Sequence, residues 1–244
     1  MQERLSRLCT ALLSLCACET AAPASSSEAP TPAASDWTGL RGPLSPGERE
    51  RERADAAAPM DEARGTWVLH LGDSFVNASF AQHLEPLIRS AGARQVARAK
   101  ASTFTTDWAD DPDVDQWLAR GPSLVLVTLG ANEVDNVFPK LHAGAIRRLS
   151  RKVGAVAPCV WIAPTLWKAD RPGWLQVLHD YCAPCLFFDS DAVLGGLTED
   201  ERRRDGIHPN DRGGQRWAEA FWGWLSDHRD PSRGTWGLVP FERR

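Results

Sequence analysis

Short apolar runs alternate with longer segments of helical periodicity from Gly65 towards the end of the chain. The runs are short and continuous in apolar residues, although the one at residues 95–99 is weaker, and such runs are typical of strands that are buried on both faces of a sheet. The intervening segments repeat large apolar side chains every three or four residues, so that these side chains share one face of a helix. The pattern predicts five strands, at residues 67–71, 95–99, 123–129, 159–163 and 185–189.

Helices are predicted between and after these strands, at residues 75–91, 113–119, 139–156, 173–181 and 212–228. In the last of them Trp217, Phe221 and Trp224 recur at helical spacing, which favours packing on the sheet over ligand binding. Strands that alternate with helices through short connections are typical of a parallel sheet covered on both faces. The expected fold class is therefore α/β, with a three-layer α/β/α sandwich around a five-stranded parallel sheet.

The first part of the chain does not share this pattern. Arg4 and Arg7 precede a short apolar stretch at residues 8–17, which is typical of an export signal and too short to span a bilayer. The sequence Leu15-Cys16-Ala17-Cys18 resembles the lipobox of bacterial lipoproteins, which implies that Cys18 is the lipidated first residue of the mature chain. An ordinary secretory signal and a non-cleaved start are the alternatives. We expect an exported protein, either anchored in the cell envelope or secreted.

Residues 19–62 are rich in Ala, Pro, Ser and Glu and contain few large apolar side chains. Such a composition buries too little surface to offset the entropy of ordering, so we expect a disordered tether. The expected organisation is therefore a signal at residues 1–18, a tether at 19–62 and one folded domain at 63–244. With a net charge of −4 and no basic stripe, the chain gives no indication of nucleic-acid binding. Membrane contact is expected only through the lipid anchor.

Three cysteines lie in the predicted domain, and an oxidising compartment permits a disulfide between two of them. Cys159 and Cys185 each open a strand-like run, and neighbouring parallel strands would place their sulfur atoms close together. We therefore favour a Cys159–Cys185 bridge, with Cys182–Cys185 as the alternative. No second ligand pair stands at a spacing that suits zinc, so we expect no metal and no cofactor.

Residues with catalytic chemistry follow the predicted strands or precede the last helix. Ser74 follows the first strand, Ser102 and Thr103 the second, and Asn132 the third, while Asp205-Gly206-Ile207-His208 precedes the helix. The carboxyl ends of parallel strands meet at one edge of a sheet, so these residues should converge. Serine needs a base to take its proton, an imidazole serves as that base, and a carboxylate orients the imidazole. An oxyanion needs donors such as the Ser74 N–H and the Asn132 amide.

These segments resemble the blocks of the SGNH (GDSL-type) hydrolase superfamily, in their usual order. The matching blocks are Gly72-Asp73-Ser74, Gly130-Ala131-Asn132 and Asp205-Gly206-Ile207-His208-Pro209. The resemblance implies a flavodoxin-like sandwich that hydrolyses esters without a metal. It also implies that Ser74 is the nucleophile, His208 the base, Asp205 the orienting acid and Asn132 an oxyanion donor.

Two positions depart from the family pattern. The second block normally supplies a Gly to the oxyanion hole, whereas this chain reads Lys100-Ala101-Ser102-Thr103-Phe104. A backbone N–H survives such a replacement, so Ser102 or Thr103 is expected to serve in its place. Glu133 stands where Asp is commoner, and we expect a supporting role for it.

Three functions are compatible with these residues. The first is an esterase that releases short acyl groups, such as acetyl, from a carbohydrate or a small ester. The second is an O-acyltransferase that passes the same acyl group to a cell-envelope polysaccharide with the help of a partner protein. The third is a non-catalytic binding lipoprotein on an SGNH scaffold. Trp108, Trp167 and Trp174 lie near the predicted site in sequence, as pocket walls or as core residues.

Overall fold

The structure, a computed structural model, describes residues 66–240. Five parallel strands form one sheet: β1 Thr66–Gly72, β2 Ala93–Ala99, β3 Leu124–Thr128, β4 Cys159–Ile162 and β5 Leu186–Phe188. Their order is β2-β1-β3-β4-β5, so the chain moves outwards from β1 first in one direction and then in the other. The predicted five-stranded parallel sheet is confirmed. The expected signal and tether, including Cys18, lie outside the described residues.

Seven α-helices connect and cover these strands in the described range. They are α1 Ala81–Ser90, α2 Thr105–Ala109, α3 Pro112–Leu118, α4 Ala143–Gly154, α5 Trp174–Tyr181, α6 Ser190–Leu194 and α7 Asp211–Asp227. A π-helical segment, Val76–Phe80, leads into α1, and 3₁₀ turns occur at Ala131–Glu133, Pro139–His142, Glu199–Glu201 and Pro231–Arg233. Within the described range, no helix is long and apolar enough to cross a membrane.

The two faces of the sheet carry separate core layers. Alternate residues of β1 point to opposite faces, so Leu69 and Leu71 pack in one layer and Val68 in the other. The first layer contains side chains of α3, α4 and α5, and the second contains those of α1 and α7. Trp217 and Phe221 are fully buried in the second layer, as the helical spacing of the aromatic residues predicted. The three-layer sandwich is therefore confirmed.

The structure differs from the predicted elements where an element is short. The predicted helix at 139–156 is a 3₁₀ turn, Pro139–His142, followed by α4. The helices α2 and α6 were missed because five residues make little more than one turn and leave no periodicity to detect. The strand β2 gave a weak apolar run because it lies at the edge of the sheet and most of its residues are partly exposed.

The structure contains the disulfide between Cys159 and Cys185 that the sequence favoured. Register explains it, because Val160 pairs with Leu186 and the two cysteines are the preceding residues on neighbouring strands. The alternative partner, Cys182, is a buried free thiol, and burial raises its pKa to about 12. The bridge therefore joins the amino ends of β4 and β5, at the edge of the sheet opposite the carboxyl ends.

Candidate active site

The turn after β1 presents Ser74 at the carboxyl edge of the sheet. A side chain at Gly72 would place its Cβ 2.3 Å from Val76 Cγ2 and 2.5 Å from the Thr128 carbonyl oxygen, so this close approach to β3 requires glycine. Asp73 Oδ1 accepts the Phe75 N–H at 2.9 Å and closes the turn. The helical conformation starts at Ser74, whose N–H therefore has no carbonyl one turn earlier to bond.

Ser74, His208 and Asp205 form a continuous chain of hydrogen bonds. Ser74 Oγ lies 2.9 Å from His208 Nε2, and His208 Nδ1 lies 2.8 Å from Asp205 Oδ2. The other carboxylate oxygen of Asp205 accepts the N–H groups of Ile207 at 2.8 Å and His208 at 3.0 Å. The structure thus brings together the three residues that the sequence placed in a triad.

The charge of Asp205 fixes the direction of these hydrogen bonds. Burial acts to raise the pKa of Asp205, but the bonds from the His208 ring and from the two backbone N–H groups outweigh it and hold the pKa below its ordinary value. The carboxylate can only accept, so the ring hydrogen is on Nδ1 and the free lone pair is on Nε2. Nε2 is therefore in position to receive the Ser74 proton.

A backbone hairpin at residues 202–209, hereafter the triad hairpin, carries Asp205 and His208. The Arg203 N–H donates to the His208 carbonyl at 2.7 Å, and Gly206, with φ of 69°, turns the chain between them. The Arg202 guanidinium donates to the Ile207 carbonyl at 2.7 Å and to the Leu166 carbonyl at 2.6 Å. His208 therefore stands on a hairpin held from inside and from the neighbouring loop.

A close contact joins this hairpin to the nucleophile segment. Ser79 Oγ in the π-helical segment donates to the Asn210 carbonyl at 2.8 Å, at the start of α7. A Cβ on Gly214 would lie 2.0 Å from Ser79 Oγ, so the two helices approach closely only because that residue is glycine. Ser74 and His208 are 134 positions apart in the sequence. The contact joins the segments that follow these two residues, and it therefore helps to position Ser74 against His208.

The second-block loop, residues 100–105, also lies next to the turn that carries Ser74. The Lys100 N–H donates to the Gly72 carbonyl at 3.0 Å, which places this loop beside the nucleophile turn. Ser102 has φ of 57° and is the one non-glycine residue in the left-handed region within residues 66–240. This backbone conformation favours glycine, yet the residue that adopts it here is a serine.

The third-block loop, residues 130–133, holds the second-block loop with two side chains. The Asn132 side-chain amide donates to the Thr103 carbonyl at 2.8 Å, and Glu133 Oε1 accepts the Thr105 N–H at 2.5 Å. This bond uses one of the two hydrogens of the Asn132 amide. The supporting role expected for Glu133 has a defined form, a bridge between the two loops.

Two buried carboxyl groups lie in these turns. Burial, and to a smaller extent the charge of Glu133, raise the pKa of Asp73 to about 7, although backbone hydrogen bonds oppose the shift. Burial likewise raises the pKa of Glu133 against the hydrogen bonds from Thr105. Each group keeps one buried oxygen, Asp73 Oδ2 and Glu133 Oε2, with no partner among the described residues. At pH values below this raised pKa, Asp73 is mostly protonated, which limits the negative charge beside Ser74.

The three tryptophans near the site differ in role. Trp108 and Trp174 are buried in the core, and the Trp108 Nε1–H donates to Thr103 Oγ1 at 2.8 Å. Only Trp167 among the three is partly exposed, and its ring centroid lies 5.8 Å from that of Phe75. Trp108 and Trp174 are therefore core residues and not pocket walls.

Sequence reasoning missed Arg202, Ser79 and Gly214. None belongs to a motif, and each acts through a backbone carbonyl or a close approach that only the folded chain creates. In residues 66–240 no three His, Cys, Asp or Glu side chains form a group suited to a metal ion.

No family model and no curated protein sequence matches the chain. Solved structures do match its fold. A carbohydrate esterase of family 3 from Talaromyces cellulolyticus is 21% identical over 66% of this chain and 97% of its own, with a TM-score of 0.53. Axe2, an acetylxylan esterase from Geobacillus stearothermophilus, is 16% identical over 74% of this chain and 99% of its own, with a TM-score of 0.55.

A third similar structure is that of a protein from Slackia heliotrinireducens assigned to the SGNH hydrolases. It is 17% identical, covers 65% of this chain and 98% of its own, and has a TM-score of 0.51. At these identities the similarity shows the fold. The chain has the α/β/α fold of the SGNH hydrolases and of these carbohydrate esterases.

Proposed function

We propose that this chain is a serine esterase of the SGNH type that removes short acyl groups, such as acetyl, from carbohydrate esters. The observation that carries the proposal is the chain of hydrogen bonds from Ser74 through His208 to Asp205, at 2.9 and 2.8 Å. The fold shared with carbohydrate and acetylxylan esterases supports the choice of substrate.

The reaction begins when Ser74 Oγ attacks the ester carbonyl and His208 Nε2 takes the hydroxyl proton. Asp205 stabilises the imidazolium that forms. The negative oxygen of the tetrahedral intermediate lies between the Ser74 N–H, the free hydrogen of the Asn132 amide and the backbone of Ser102 and Thr103.

Collapse of the intermediate breaks the bond to the alcohol, which leaves with the proton held by His208. The acyl group is then bound to Ser74 as an ester. His208 next takes a proton from a water molecule, which attacks the acyl-enzyme, and Ser74 recovers its proton as the carboxylic acid leaves. No step requires a metal or a cofactor.

The first test compares the full chain with a Ser74→Ala variant on p-nitrophenyl acetate and on acetylated xylo-oligosaccharide. We expect turnover of both esters by the natural chain and loss of at least about 10³-fold in the variant. A fluorophosphonate should label the natural chain on the peptide that contains Ser74. Absence of both turnover and label in a folded preparation would rule out the esterase. Transfer of the acetyl group to added sugar would instead identify an acyltransferase.

We also propose that the protein is exported and lipidated at Cys18, which anchors it in the cell envelope. The proposal rests on the positive start, the short apolar stretch and the small residue before this cysteine. Labelled palmitate should enter the natural chain and a Cys16→Ser control, but not a Cys18→Ser variant. Equal labelling of the two variants would contradict the assignment, and export without label in any of them would indicate a secreted protein.

A further inference from the structure

The loop after β4 carries the partly exposed Trp167 to the triad. The Trp167 and Phe75 ring centroids lie 5.8 Å apart with 33° between their planes, and Phe75 lies 5.2 Å from the His208 ring. Phe75 also follows Ser74 directly in the chain. Trp167 is therefore one side chain away from both the proposed nucleophile and its base.

Burial separates Trp167 from the tryptophans of the core. Five tryptophans have less than about 2% of their surface exposed: Trp108, Trp161, Trp174, Trp217 and Trp236. Trp167 packs against both core layers, as a residue over the edge of the sheet must, yet the residue stays partly exposed to solvent. A partly exposed tryptophan beside reactive groups is suited to contact a ligand rather than to fill a core.

A charged pair lies next to the indole. The Lys168 ammonium lies over the Trp167 ring, 5.3 Å from its centroid, and forms an ion pair with Asp135, which belongs to the segment after the third-block loop. An apolar ring with one donor and one acceptor close to it fits a ligand that has both C–H faces and hydroxyl groups. A sugar ring has both, whereas an alkyl chain would leave the ion pair unused.

The loop that carries Trp167 is fixed to the triad hairpin. The Leu166 N–H donates to both carboxylate oxygens of Asp191, at 3.1 and 3.3 Å, and the Leu166 carbonyl accepts from Arg202 at 2.6 Å. The same guanidinium holds the Ile207 carbonyl, next to His208. The indole therefore has a set position relative to His208 before any ligand binds, which lowers the entropy cost of binding.

We propose that Trp167 is the platform of a sugar-binding subsite, on which a pyranose ring of the substrate stacks while its ester group reaches Ser74. The inference rests on the proposed function, because it places the alcohol part of the ester. Lys168 and Asp135 bind hydroxyl groups of the same ring, and Arg202 and Asp191 are positioning residues for the loop.

Binding without turnover tests the subsite directly. Calorimetry would measure the affinity of xylotetraose for a Ser74→Ala chain and for the same chain with Trp167→Ala or Trp167→Leu. We expect both second substitutions to weaken binding about 10-fold, the effect of about 1.4 kcal/mol of lost aromatic contact. Trp167→Phe should retain most of the affinity because it keeps a flat ring. Unchanged affinity, or no binding to the Ser74→Ala chain, would overturn the proposal.

Kinetics separate a subsite from a packing role. With acetylated xylotetraose, Trp167→Leu should raise KM about 10-fold and leave kcat within about threefold. With p-nitrophenyl acetate, which has no sugar, the variant should lose less kcat/KM than it loses with the sugar ester. An equal loss on both esters would mean that Trp167 only positions Phe75, and would overturn the proposal.

A matched control is Trp224→Leu on α7, where the indole is also partly exposed but stacks on His228. It should leave both the affinity and the KM unchanged. If the Ser74→Ala chain binds xylotetraose through Trp167 while the natural chain hydrolyses neither ester, the subsite stands and the proposed esterase fails.

Discussion

The triad hairpin and the second-block loop each contact the turn that carries Ser74, and they are held in different ways. The hairpin is fixed by backbone bonds between its own strands and by the Arg202 guanidinium, which is itself buried. The second-block loop is mostly exposed. It is held by one backbone bond, from the Lys100 N–H to the Gly72 carbonyl, and by side-chain bonds from Asn132, Glu133 and Trp108.

This difference separates two tasks. A proton transfer between Ser74 and His208 requires a heavy-atom distance near 2.9 Å, and many contacts hold that distance. Backbone donors for an oxyanion can be supplied by any residue that adopts the right conformation. We therefore expect changes in the hairpin to abolish activity and changes in the second-block loop to reduce it.

The largest effect is expected from Asp205→Asn. The amide can no longer hold the His208 ring with hydrogen on Nδ1, so kcat on p-nitrophenyl acetate should fall about 10³- to 10⁴-fold with little change in KM. Fluorophosphonate labelling of Ser74 should slow in parallel. A loss below 10-fold would mean that another acceptor orients the ring.

Asn132→Ala tests the second-block loop and the oxyanion donors. It removes an amide hydrogen available to the oxyanion, so kcat should fall about 10²- to 10³-fold. The matched control is Asn136→Ala, four residues later, whose amide contacts His142 at 2.6 Å instead. The control should stay within about threefold of the natural chain, and equal losses in the two variants would point to a general distortion of this turn.

Gly214→Ala tests the contact that joins the hairpin to the nucleophile segment. The added Cβ would lie 2.0 Å from Ser79 Oγ, so the variant should lose about 1–3 kcal/mol of unfolding free energy, measured by urea denaturation. On the same helix a Cβ at Gly223 meets nothing within 4 Å. Gly223→Ala should therefore gain up to about 1 kcal/mol, and a loss there would refute the steric explanation.

The buried carboxyl group of Asp73, in the turn that carries Ser74, makes the free energy of unfolding depend on pH. Burial raises the pKa of Asp73 from 3.8 to about 7. The stability that the protonated carboxyl group contributes is therefore fully present below pH 3.8 and is lost as the pH rises towards 7. Asn cannot ionise and escapes this loss. Across that window the unfolding free energy of Asp73→Asn, relative to the natural chain, should rise by up to about 1.4 kcal/mol per pH unit. Parallel curves would show that Asp73 is ionised throughout.

The smallest effect is expected at Ser102. Relief of its positive φ by Ser102→Gly should raise the melting temperature by a few degrees, which corresponds to about 1 kcal/mol. The neighbouring Ala101 has no such conformation, so Ala101→Gly should lower the melting temperature instead. A decrease in both variants would indicate that the side chain of Ser102 makes a needed contact.

The sequence was sufficient for the features that depend on local pattern. Continuous apolar runs located β1 and β3, and the order of the blocks brought Ser74, His208 and Asp205 to one edge of the sheet. The pairing of Cys159 with Cys185 followed from the start of two neighbouring strands. These inferences need only strand periodicity and parallel connections.

Other parts of the site depend on distances that no local pattern encodes. Arg202 reaches two carbonyls, at Leu166 and Ile207, that become neighbours only after folding. Trp108 and Trp174 are buried, whereas Trp167 is partly exposed. The sequence alone does not distinguish the three, because each of them could be either a core residue or a pocket wall. The helices α2 and α6 are too short to show a period.

The φ of 57° at Ser102 also bears on how this chain compares with others by sequence. An alignment compares residue names and not backbone angles. A serine in the left-handed region is therefore scored like any other serine, although glycine, Asn and Asp are the usual residues at such positions. A comparison that also scored left-handed positions would register the turn at Ser102, which residue names alone do not reveal.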